Sequence, residues 1–316
     1  MSKKRVKKDI EDISGVGPEI AFRLRYAGYT DLQTIATASP KDLADKCMIG
    51  KKKAMDIIEE AMLCACIGGF ETGDIIHMRG TGTKKLSTGS KAFDELIGGG
   101  LSSKSIVEIY GKSESSNTQL CFQLAVNATL PEEKGGLDSD VIIIDTENAF
   151  RPERIIQMVN YLGVDPDGVL RRIHVARAFN SRHQILLIEK AHELAQQKKI
   201  RLMIIDSLTS HFRSEYSGRG ASAERQRLLN MHMNDLLIFA TQNYATIVVT
   251  NQVVGNTTKP IEEQIIGSFT SFRLYLRKGK DGKRVVKLVE SPYSPEGKAE
   301  FIWSEKGVVE KTEQIS

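Results

Sequence analysis

The sequence predicts an α/β protein in which a mostly parallel sheet covered by helices follows a small N-terminal helix–hairpin–helix domain. The length of 316 residues suits one large domain and one small one. From about residue 86 onward, apolar strand-like runs alternate with helical stretches, which is the pattern of a parallel sheet with helices on both faces. Residues 10–62 instead show short helical periods interrupted by glycine turns.

The N-terminal domain is predicted over residues 1–63. Its first turn, at residues 13–18, reads Ile-Ser-Gly-Val-Gly-Pro, which is typical of a helix–hairpin–helix motif. In such a turn, Gly15 and Gly17 leave backbone N–H groups free at a helix N-terminus, where a DNA phosphate can bind. Residues 49–53 form a weaker, more lysine-rich copy. The alternative is a small helical bundle that contains glycine turns without binding DNA.

Residues 64–85 are predicted to form a linker, because they are rich in glycine and show little helical periodicity. Phe70 is the large apolar residue that stands out in this stretch. A phenylalanine in this setting packs on its own chain, or it serves as a hydrophobic plug in a neighbouring subunit. The sequence alone leaves both alternatives open.

The core is predicted over residues 86–316. Five apolar strands are expected at residues 105–110, 141–145, 173–176, 202–206 and 246–251. Helices are expected between them at residues 118–129, 151–162, 181–198 and 222–243. Near the C-terminus, two alternating stretches flank Asp281 and Gly282, a dipeptide that indicates a tight β-hairpin turn.

Residues 111–118 look like a phosphate-binding loop with part of its chemistry removed. The pattern G-x-x-x-x-G-K-[ST] follows an apolar strand and opens a helix. Gly111 and Thr118 occupy its first and last positions, but Ser116 replaces the second glycine and Asn117 replaces the lysine. Serine resists the positive φ that glycine allows, and asparagine brings no positive charge to phosphates. Taken alone, the segment indicates an ordinary strand–turn–helix.

Two charged residues inside this loop act in opposite directions. Glu114 places a carboxylate where a polyphosphate would lie, and the two would repel each other. Lys112 has a long, flexible side chain that could swing in to replace the missing lysine charge. The sequence does not decide whether this rescue takes place.

Composition restricts the other functional classes. The chain is 41% hydrophobic and 27% charged, as expected for a globular protein with a proper core. No apolar run approaches the roughly 18–20 residues of a membrane span, so we expect a cytoplasmic protein without membrane partners. The four cysteines indicate reduced thiols rather than a disulfide framework or a zinc site. A net charge of +4 permits local DNA-binding patches but does not establish them.

Several long motifs resemble the archaeal RadA recombinases, which are relatives of RecA. Residues 145–154 read Asp-Thr-Glu-Asn-Ala-Phe-Arg-Pro-Glu-Arg, and residues 204–216 read Ile-Ile-Asp-Ser-Leu-Thr-Ser-His-Phe-Arg-Ser-Glu-Tyr. Shorter matching stretches lie at residues 176–181, 250–253 and 275–280. The resemblance covers nearly the whole chain. It implies a RecA-type ATPase core that binds ATP and Mg²⁺.

The resemblance implies roles for individual residues at the nucleotide site. Asp206 and Thr118 would hold Mg²⁺, Glu147 would polarise the attacking water, and Gln252 would sense the γ-phosphate. Arg154 would pack against the adenine. The residues expected to line the loop side are Gly111, Ser116, Asn117, Thr118 and Gln119. In the simpler alternatives, Asp206 only caps a strand and Arg154 only pairs with a neighbouring glutamate or another residue of its helix.

The resemblance also implies contacts to DNA and to other subunits. Arg213, Tyr216 and Arg219 match the first DNA-binding loop, where arginine forks suit phosphates and an aromatic ring can stack on bases. The alternative is a solvated loop. Phe70 and Gly73 match the two ends of a motif, usually Phe-x-x-Ala, through which subunits polymerise. Glycine in place of alanine loses a methyl contact.

One further departure lies after Gln252, where the family has a longer second DNA-binding loop. Here the chain passes almost directly to Lys259 and Pro260, and Glu262 and Glu263 replace two glycines of the family. Two carboxylates near the expected DNA path should repel phosphate.

These observations support two main hypotheses. In the first, the protein is a RadA-type repair and recombination protein that coats single-stranded DNA as a filament and pairs it with duplex DNA, using ATP and Mg²⁺. In the second, it is a non-catalytic RadA paralogue that modulates a related recombinase, with weak or no ATP binding and without hydrolysis. A structural DNA-binding protein outside recombination is a third reading, but it leaves the core motifs unexplained.

Overall fold

The computed structural model describes residues 9–65, 70, 72–80, 85–112, 116–218, 220–255 and 257–309. Its contacts divide the chain into two compact units after Gly82. Within the described ranges, no helix combines the length and the apolar character needed to cross a membrane. The two units are described separately.

The first unit is a small helical bundle around its own apolar core. Its helices are α1 (Pro18–Tyr26), α2 (Leu32–Ala36), α3 (Pro40–Cys47) and α4 (Lys51–Cys64), after a 3₁₀ turn at Ile10–Asp12. Leu24, Ile35 and Leu43 are fully buried in this core. Gly17 and Gly50 are the N-cap residues of α1 and α4, so both predicted glycine turns lead into a helix.

One further helix, α5 (Gly73–Gly80), lies inside the predicted linker. The periodicity of the sequence did not indicate it, because its apolar side chains Ile75, Ile76 and Met78 are exposed rather than gathered on a buried stripe. Its first turn is supported locally, since the Thr72 carbonyl accepts hydrogen bonds from the backbone N–H groups of Ile75 and Ile76.

In the described part of the second unit, nine strands form one sheet. They are β1 (Ser105–Gly111), β2 (Asp140–Asp145), β3 (Ile173–Arg177), β4 (Ile200–Asp206), β5 (Thr246–Gln252), β6 (Phe272–Lys278), β7 (Lys283–Glu290), β8 (Gly297–Ser304) and β9 (Gly307–Val309). Their order is β3-β2-β4-β5-β1-β6-β7-β8-β9, parallel from β3 to β6 and antiparallel beyond. The predicted mostly parallel sheet is confirmed.

Helices cover both faces of this sheet. They are α6 (Lys91–Leu96), α7 (Asn117–Thr129), α8 (Pro152–Tyr161), α9 (Pro166–Leu170), α10 (Ser181–Ala195), α11 (Ser210–Glu215), α12 (Ser222–Asn243) and α13 (Glu263–Phe269). Successive strand residues point to opposite faces. Val107 and Ile109 therefore join the core under α7 and α8, whereas Ile106 and Ile247 join the core under α10 and α12.

The C-terminal hairpin forms as the sequence predicts. Asp281 and Gly282 both have positive φ, at 55° and 74°, which is the backbone that a tight two-residue hairpin turn requires. Strands β8 and β9 extend the sheet beyond this hairpin, and Phe301 of β8 is fully buried against Phe93 of α6.

A buried ion pair joins the two central strands β1 and β6. Glu108 and Arg273 face each other in register, with the Arg273 Nε atom 3.0 Å from the Glu108 Oε2 atom. Burial raises the pKa of the Glu108 carboxyl, against the opposing effects of its hydrogen bonds and the Arg273 charge. Glu263 and Glu290 carboxylate oxygens lie 3.5 Å from the same guanidinium. Removing one partner would leave a buried charge without compensation.

We expect Arg273→Met to lower the free energy of unfolding by about 3 kcal/mol or more, because Glu108 then stays buried without its cation. The double variant Glu108→Gln/Arg273→Met should recover most of that loss. Urea titrations of the native chain, the variants and an Arg277→Met control, exposed on the same strand, would measure this. A double variant no more stable than Arg273→Met alone would contradict the prediction.

A second buried titratable group lies between α10, α11 and α12. His232 is fully buried; its Nε2 atom lies 3.2 Å from the Gln184 Nε2 atom, and its ring lies 5.8 Å from that of Phe212. Burial lowers the pKa of His232 from 6.5 to about 4. The native state therefore holds the imidazole neutral, and the unfolded chain binds the proton more tightly.

Stability should fall as the pH falls from 6.5 towards 4, because the unfolded state gains a proton in this window and the native state does not. At pH 4, the burial of neutral His232 lowers the free energy of unfolding by about 3 kcal/mol relative to neutral pH. Each pKa unit of difference between the unfolded and native states corresponds to about 1.4 kcal/mol. Urea unfolding of the native chain and of His232→Gln across this range would measure it. The variant should show the shallower pH dependence, and equal slopes would contradict this account.

Candidate functional site

The candidate site lies where parallel strands β1, β2, β4 and β5 end at the same edge of the sheet. A predicted site residue ends or follows each of these strands. These residues are Gly111, Glu147, Asp206 and Gln252. The carboxyl ends of parallel strands are where ligands bind in open α/β sheets. The topology therefore brings together residues that are far apart in the sequence.

The loop after β1 enters α7 through a left-handed residue. Ser116 is the N-cap of α7, with φ 72° and ψ 36°. This backbone is disfavoured for residues with a Cβ by roughly 1–2 kcal/mol, and glycine is the residue that the phosphate-loop pattern has there. The strain expected from Ser116 is therefore present in the structure. Glu114 lies outside the described residues, and Lys112 is exposed just after β1.

Two side-chain contacts hold the end of this loop. The Arg284 Nε and Nη2 atoms of β7 donate to the Ser116 Oγ atom, at 3.2 and 3.1 Å. The Asn117 Nδ2 atom lies 3.4 Å from the Asn251 carbonyl oxygen, so its amide is directed to the end of β5. Arg284 is not among the predicted site residues. It lies 168 residues after Ser116, and no regular spacing in the sequence relates the two.

A hydroxyl and a buried carboxylate meet at the start of α7. The Thr118 Oγ1 atom donates to the Asp206 Oδ2 atom at 2.6 Å, and the Thr250 Oγ1 atom donates to the Oδ1 atom at 2.5 Å. Burial raises the pKa of Asp206, although both hydroxyls oppose this. Hydroxyl and carboxylate oxygens are the ligands that Mg²⁺ prefers. The Asp206 carboxylate thus faces the Thr118 hydroxyl, as a shared Mg²⁺ site would require. Its role as a metal ligand stays a prediction.

Glu147 lies at the rim of the same edge. Its Oε1 atom accepts a hydrogen bond from the Ser207 Oγ atom at 2.8 Å. A cavity of about 320 Å³ opens beside it, lined by Glu147, Ser207, Thr209, Ser210, Arg213, Ser214 and Gln252. This cavity brings the predicted water-activating carboxylate, the predicted γ-phosphate sensor and a predicted DNA-binding arginine together in one space.

Arg154 and Gln119 meet on the other side of α7. The Arg154 Nε atom donates to the Gln119 Oε1 atom at 2.8 Å, and the Nη atoms donate to the carbonyl oxygens of Ser304 and Glu305 at 2.7 and 3.0 Å. Gln157, on the same helix, accepts a further hydrogen bond. These four hydrogen bonds use N–H groups that lie in the plane of the guanidinium, so they do not occupy its faces. Burial lowers the pKa of Arg154.

Asn251 connects the strands beneath the site through its hydrogen bonds, and it is not among the predicted site residues. It is fully buried, and its Nδ2 atom donates to the Glu108 Oε1 atom and to the Ile261 carbonyl oxygen at 2.8 and 2.7 Å. Its Oδ1 atom accepts from the Thr209 Oγ1 atom and the Gln252 backbone N–H, both at 2.9 Å. In the sequence, Asn251 could have been noticed as an amide at the end of an apolar strand, within the matching stretch at residues 250–253.

The predicted first DNA-binding loop begins as helix α11. Arg213 is exposed on this helix, and Tyr216 caps its C-terminus. Arg219 lies outside the described residues, between Gly218 and Gly220, which both have positive φ. The Tyr216 carbonyl accepts a hydrogen bond from the Arg225 Nη1 atom at 2.8 Å, which ties the end of the loop to α12.

The second loop bears on an expectation about charge. Glu262 was predicted to repel DNA, but its Oε1 atom lies 2.8 Å from the Arg225 Nε atom, with both side chains largely buried. Glu263 lies 3.5 Å from Arg273. Both carboxylates have a cationic partner within the chain, although Arg273 is shared between Glu263, Glu108 and Glu290. Repulsion of DNA by these two residues stays a prediction. The loop itself closes tightly, with the Val254 N–H donating to the Lys259 carbonyl at 2.9 Å.

In the first unit, the predicted contact residues are accessible. Gly15 has a φ of 82°, and no side-chain cap occupies the N-terminus of α1 at Gly17. Free backbone N–H groups at a helix N-terminus suit a phosphate. Phe70 is fully exposed, at 109% of its reference area, and Gly73 is the first residue of α5.

Comparison with known proteins identifies the family. A model described as Rad51 matches residues 81–311. The chain belongs to the Rad51 family. A second model, described as a SAM-like helix–hairpin–helix tandem, matches residues 7–62. The predicted fold class, a RecA-type mostly parallel core with a small helix–hairpin–helix domain, is confirmed.

Two relatives of the Rad51 family match the chain along nearly its whole length. A protein of Methanoculleus marisnigri is 50% identical over 317 residues, which cover 95% of this chain and 98% of the relative. A protein of Methanocorpusculum labreanum is 47% identical over 322 residues, with the same coverage. Both are named DNA repair and recombination protein RadA. The resemblance to the RadA recombinases is confirmed.

Membership of the Rad51 family implies a nucleotide with Mg²⁺, and the residues fit this group unevenly. Thr118 and the buried Asp206 form a donor set that suits Mg²⁺. Arg154 presents a planar face beside α7 that suits a base. Ser116 and Asn117, however, bring no positive charge to the phosphates. The site fits the metal and the base, and it needs a cation from elsewhere for the phosphates.

We expect Asn251→Ala to lower the free energy of unfolding by about 2–4 kcal/mol, because it leaves buried donors and acceptors without partners. Asn251→Asp keeps the shape and the Oδ1 contacts, but it places a carboxylate against the buried Glu108. It should therefore cost at least as much as alanine. Urea unfolding at pH 7 would compare the two, and an aspartate variant clearly more stable than the alanine variant would contradict this description of the network.

Proposed function

We propose that this protein is a RadA-type repair and recombination protein, which forms filaments on single-stranded DNA in the cytoplasm and promotes ATP-dependent pairing with duplex DNA. The family and the names of the two relatives support this proposal. The proposed organisation is a DNA-binding domain over residues 1–63, a linker with a polymerisation motif over residues 64–85 and an ATPase core over residues 86–316.

The proposed nucleotide site uses the edge of the sheet. Thr118 and Asp206 hold Mg²⁺, Gly111 to Gln119 surround the phosphates, and Arg154 stacks on the adenine. Glu147 orients a water molecule, and Gln252 reports the occupancy of the phosphate site to the second DNA loop. When bound, ATP with Mg²⁺ supplies a clamp between subunits that hydrolysis releases.

The single observation that carries the proposal is the shared cavity beside Glu147. Arg213 of the first loop and Gln252 at the root of the second loop line the same space as Glu147. A group bound at the edge of the sheet therefore lies beside the roots of both loops. This proximity is what a protein needs if nucleotide and DNA are to influence each other.

The proposed DNA contacts come from both units. In the core, Arg213, Tyr216 and Arg219 meet the single strand, where guanidinium groups bind phosphates and the ring stacks on a base. In the N-terminal unit, the turn with Gly15 and Gly17 binds a phosphate of duplex DNA. The pairing of Glu262 with Arg225 would reduce the repulsion that the sequence suggested.

Self-association is proposed to use Phe70 and Gly73. The Phe70 side chain is fully exposed, and its contact with water is unfavourable unless a partner covers the ring. A neighbouring subunit or a related recombinase would supply the pocket. Electron microscopy of the protein with single-stranded DNA and ATP would test this: regular filaments support the proposal, and their absence at all protein concentrations would count against it.

A second candidate function is favoured by Ser116 and Asn117. A strained serine and a neutral amide occupy the positions that steady the transferring phosphate, and losing such an electrostatic contact costs roughly 10²–10³ in rate. The protein would then be a non-catalytic paralogue that binds DNA or a related recombinase. Filament formation without turnover of ATP, or only in the presence of that recombinase, would favour this second candidate.

The second candidate predicts that the native chain hydrolyses ATP near background, with or without single-stranded DNA. Asn117→Lys alone should restore little, because Ser116 still strains the turn and Glu114 still adds a negative charge to the loop. The triple variant Glu114→Gly/Ser116→Gly/Asn117→Lys should bind nucleotide more tightly than the native chain, since Thr118 and Asp206 remain in place. Phosphate release and calorimetric titration with ATP and Mg²⁺ would measure both properties.

The controls for this experiment use the retained carboxylates. Asp206→Asn in the triple variant should abolish the gain in Mg²⁺-dependent binding, and Glu147→Gln should abolish turnover while binding persists. The gain in DNA-stimulated turnover should be smaller than the gain in binding, given the short closed loop after Gln252. Robust DNA-dependent turnover by the native chain would contradict the prediction and favour an active recombinase.

A further inference from the structure

The β6–β7 hairpin brings positive charge to the edge of the sheet where the phosphate-loop segment lies. Strand β6 runs parallel to β1, with Leu276 beside Gly111, so β6 ends and β7 begins at the edge where the loop starts. The ends of these strands and the turn between them are basic. The cationic residues are Arg277 and Lys278 at the end of β6, Lys280 in the turn, and Lys283 and Arg284 at the start of β7.

Arg284 is the member of this group that reaches the loop. Its Nε and Nη2 atoms both donate to the Ser116 Oγ atom, at 3.2 and 3.1 Å. Its Nη1 atom donates to the carbonyl oxygens of Gly282 and Lys283, each at 3.2 Å. Among the described residues, the acceptors of this guanidinium are thus one hydroxyl and two backbone carbonyls, all of them neutral.

The position of this guanidinium matters because Ser116 directly precedes Asn117. The Asn117 amide is neutral and directed to the Asn251 carbonyl. Arg284 therefore carries a fixed positive charge to the residue next to the position that lacks its lysine. A phosphate oxygen is a stronger acceptor than a hydroxyl, and the guanidinium fork matches two phosphate oxygens at once.

We propose that Arg284 is the phosphate-binding cation of this chain, taking over from β7 the charge that the loop lacks at Asn117. The inference rests on the proposed nucleotide site. Arg284 approaches from beside the loop rather than from its centre, so it holds the polyphosphate in the ground state and contributes little to its transfer. The protein then binds nucleotide as a structural ligand and hydrolyses it slowly.

Calorimetric titration of the whole protein with ATP, ADP and adenosine, each with Mg²⁺, tests the inference. Arg284→Gln should weaken ATP and ADP binding by about ten- to 100-fold, as expected for the loss of a charge-assisted contact. Adenosine binding should not change. Arg284→Lys should retain part of the affinity. Arg277→Gln removes the same charge from an exposed position on the adjacent strand, and it should leave all three affinities as they are.

A coupling measurement makes the test specific. In the double variant Glu114→Gly/Asn117→Lys, the loop carries its own lysine and keeps the Ser116 hydroxyl that Arg284 contacts, so Arg284→Gln should weaken ATP binding much less than in the native chain. An equal effect in both backgrounds would overturn the inference, because a merely structural Arg284 would act the same way in each. Thermal unfolding of each variant would show that it is folded.

The outcomes separate this inference from the proposed function. If the native chain binds ATP and Arg284→Gln does not weaken it, the inference is overturned and the proposed site stands. If Lys112→Ala weakens ATP binding instead, Lys112 is the cation and the inference is likewise overturned. If the native chain binds no nucleotide at millimolar concentrations, the proposed nucleotide site itself fails, and the inference fails with it.

Discussion

The buried carboxylate of Glu108 is the constraint on which the architecture of the site depends. It lies on β1 and is held by Arg273 of β6 and Asn251 of β5. These three neighbouring strands carry the loop before α7, the hairpin with Arg284 and the start of the loop after Gln252, which is proposed to bind DNA. Since an uncompensated buried charge is very costly, their relative register is fixed where the site needs it.

At the nucleotide site, the departures from the family lie in one small region. Neighbouring hydroxyl and amide groups hold the residues of the site. They hydrogen-bond to the side chains of Asp206, Thr118 and Glu147 and to the backbone N–H of Gln252. The changes fall at Ser116 and Asn117, which lie at the mouth of the loop rather than in the network beneath it. The hydrogen-bond network beneath the site and the charge of the loop can therefore vary independently, because different residues provide them.

The regular elements were predictable from the sequence because one strong signal, hydrophobic periodicity, determines them. The five parallel strands, the helices between them and the hairpin at Asp281 and Gly282 form close to their predicted positions. Helix α5 was not predicted, since its apolar residues are exposed and form no buried stripe. Hydrophobic periodicity in a sequence indicates a helix face that is buried. A helix without a buried face therefore shows no such periodicity.

The candidate site was predictable where residues follow strand ends, as with Asp206 and Gln252, because topology then brings them together. It was not predictable where a partner comes from a distant element. The pairing of Glu262 with Arg225 of α12, for example, has no signal in the sequence. Arg284 and Asn251 were missed for the same reason, since ion pairs and hydrogen bonds across a fold leave no regular spacing in the sequence.

The pairing of Arg225 has a thermodynamic consequence for the two loops. One guanidinium holds both the Tyr216 carbonyl at the end of the first loop and the Glu262 carboxylate after the second. If DNA binds these loops as proposed and displaces one of the two contacts, the free energy of the other contact changes, and linkage requires the effect to be equal in both directions. The Tyr216 carbonyl and the Glu262 carboxylate are thus coupled through one side chain.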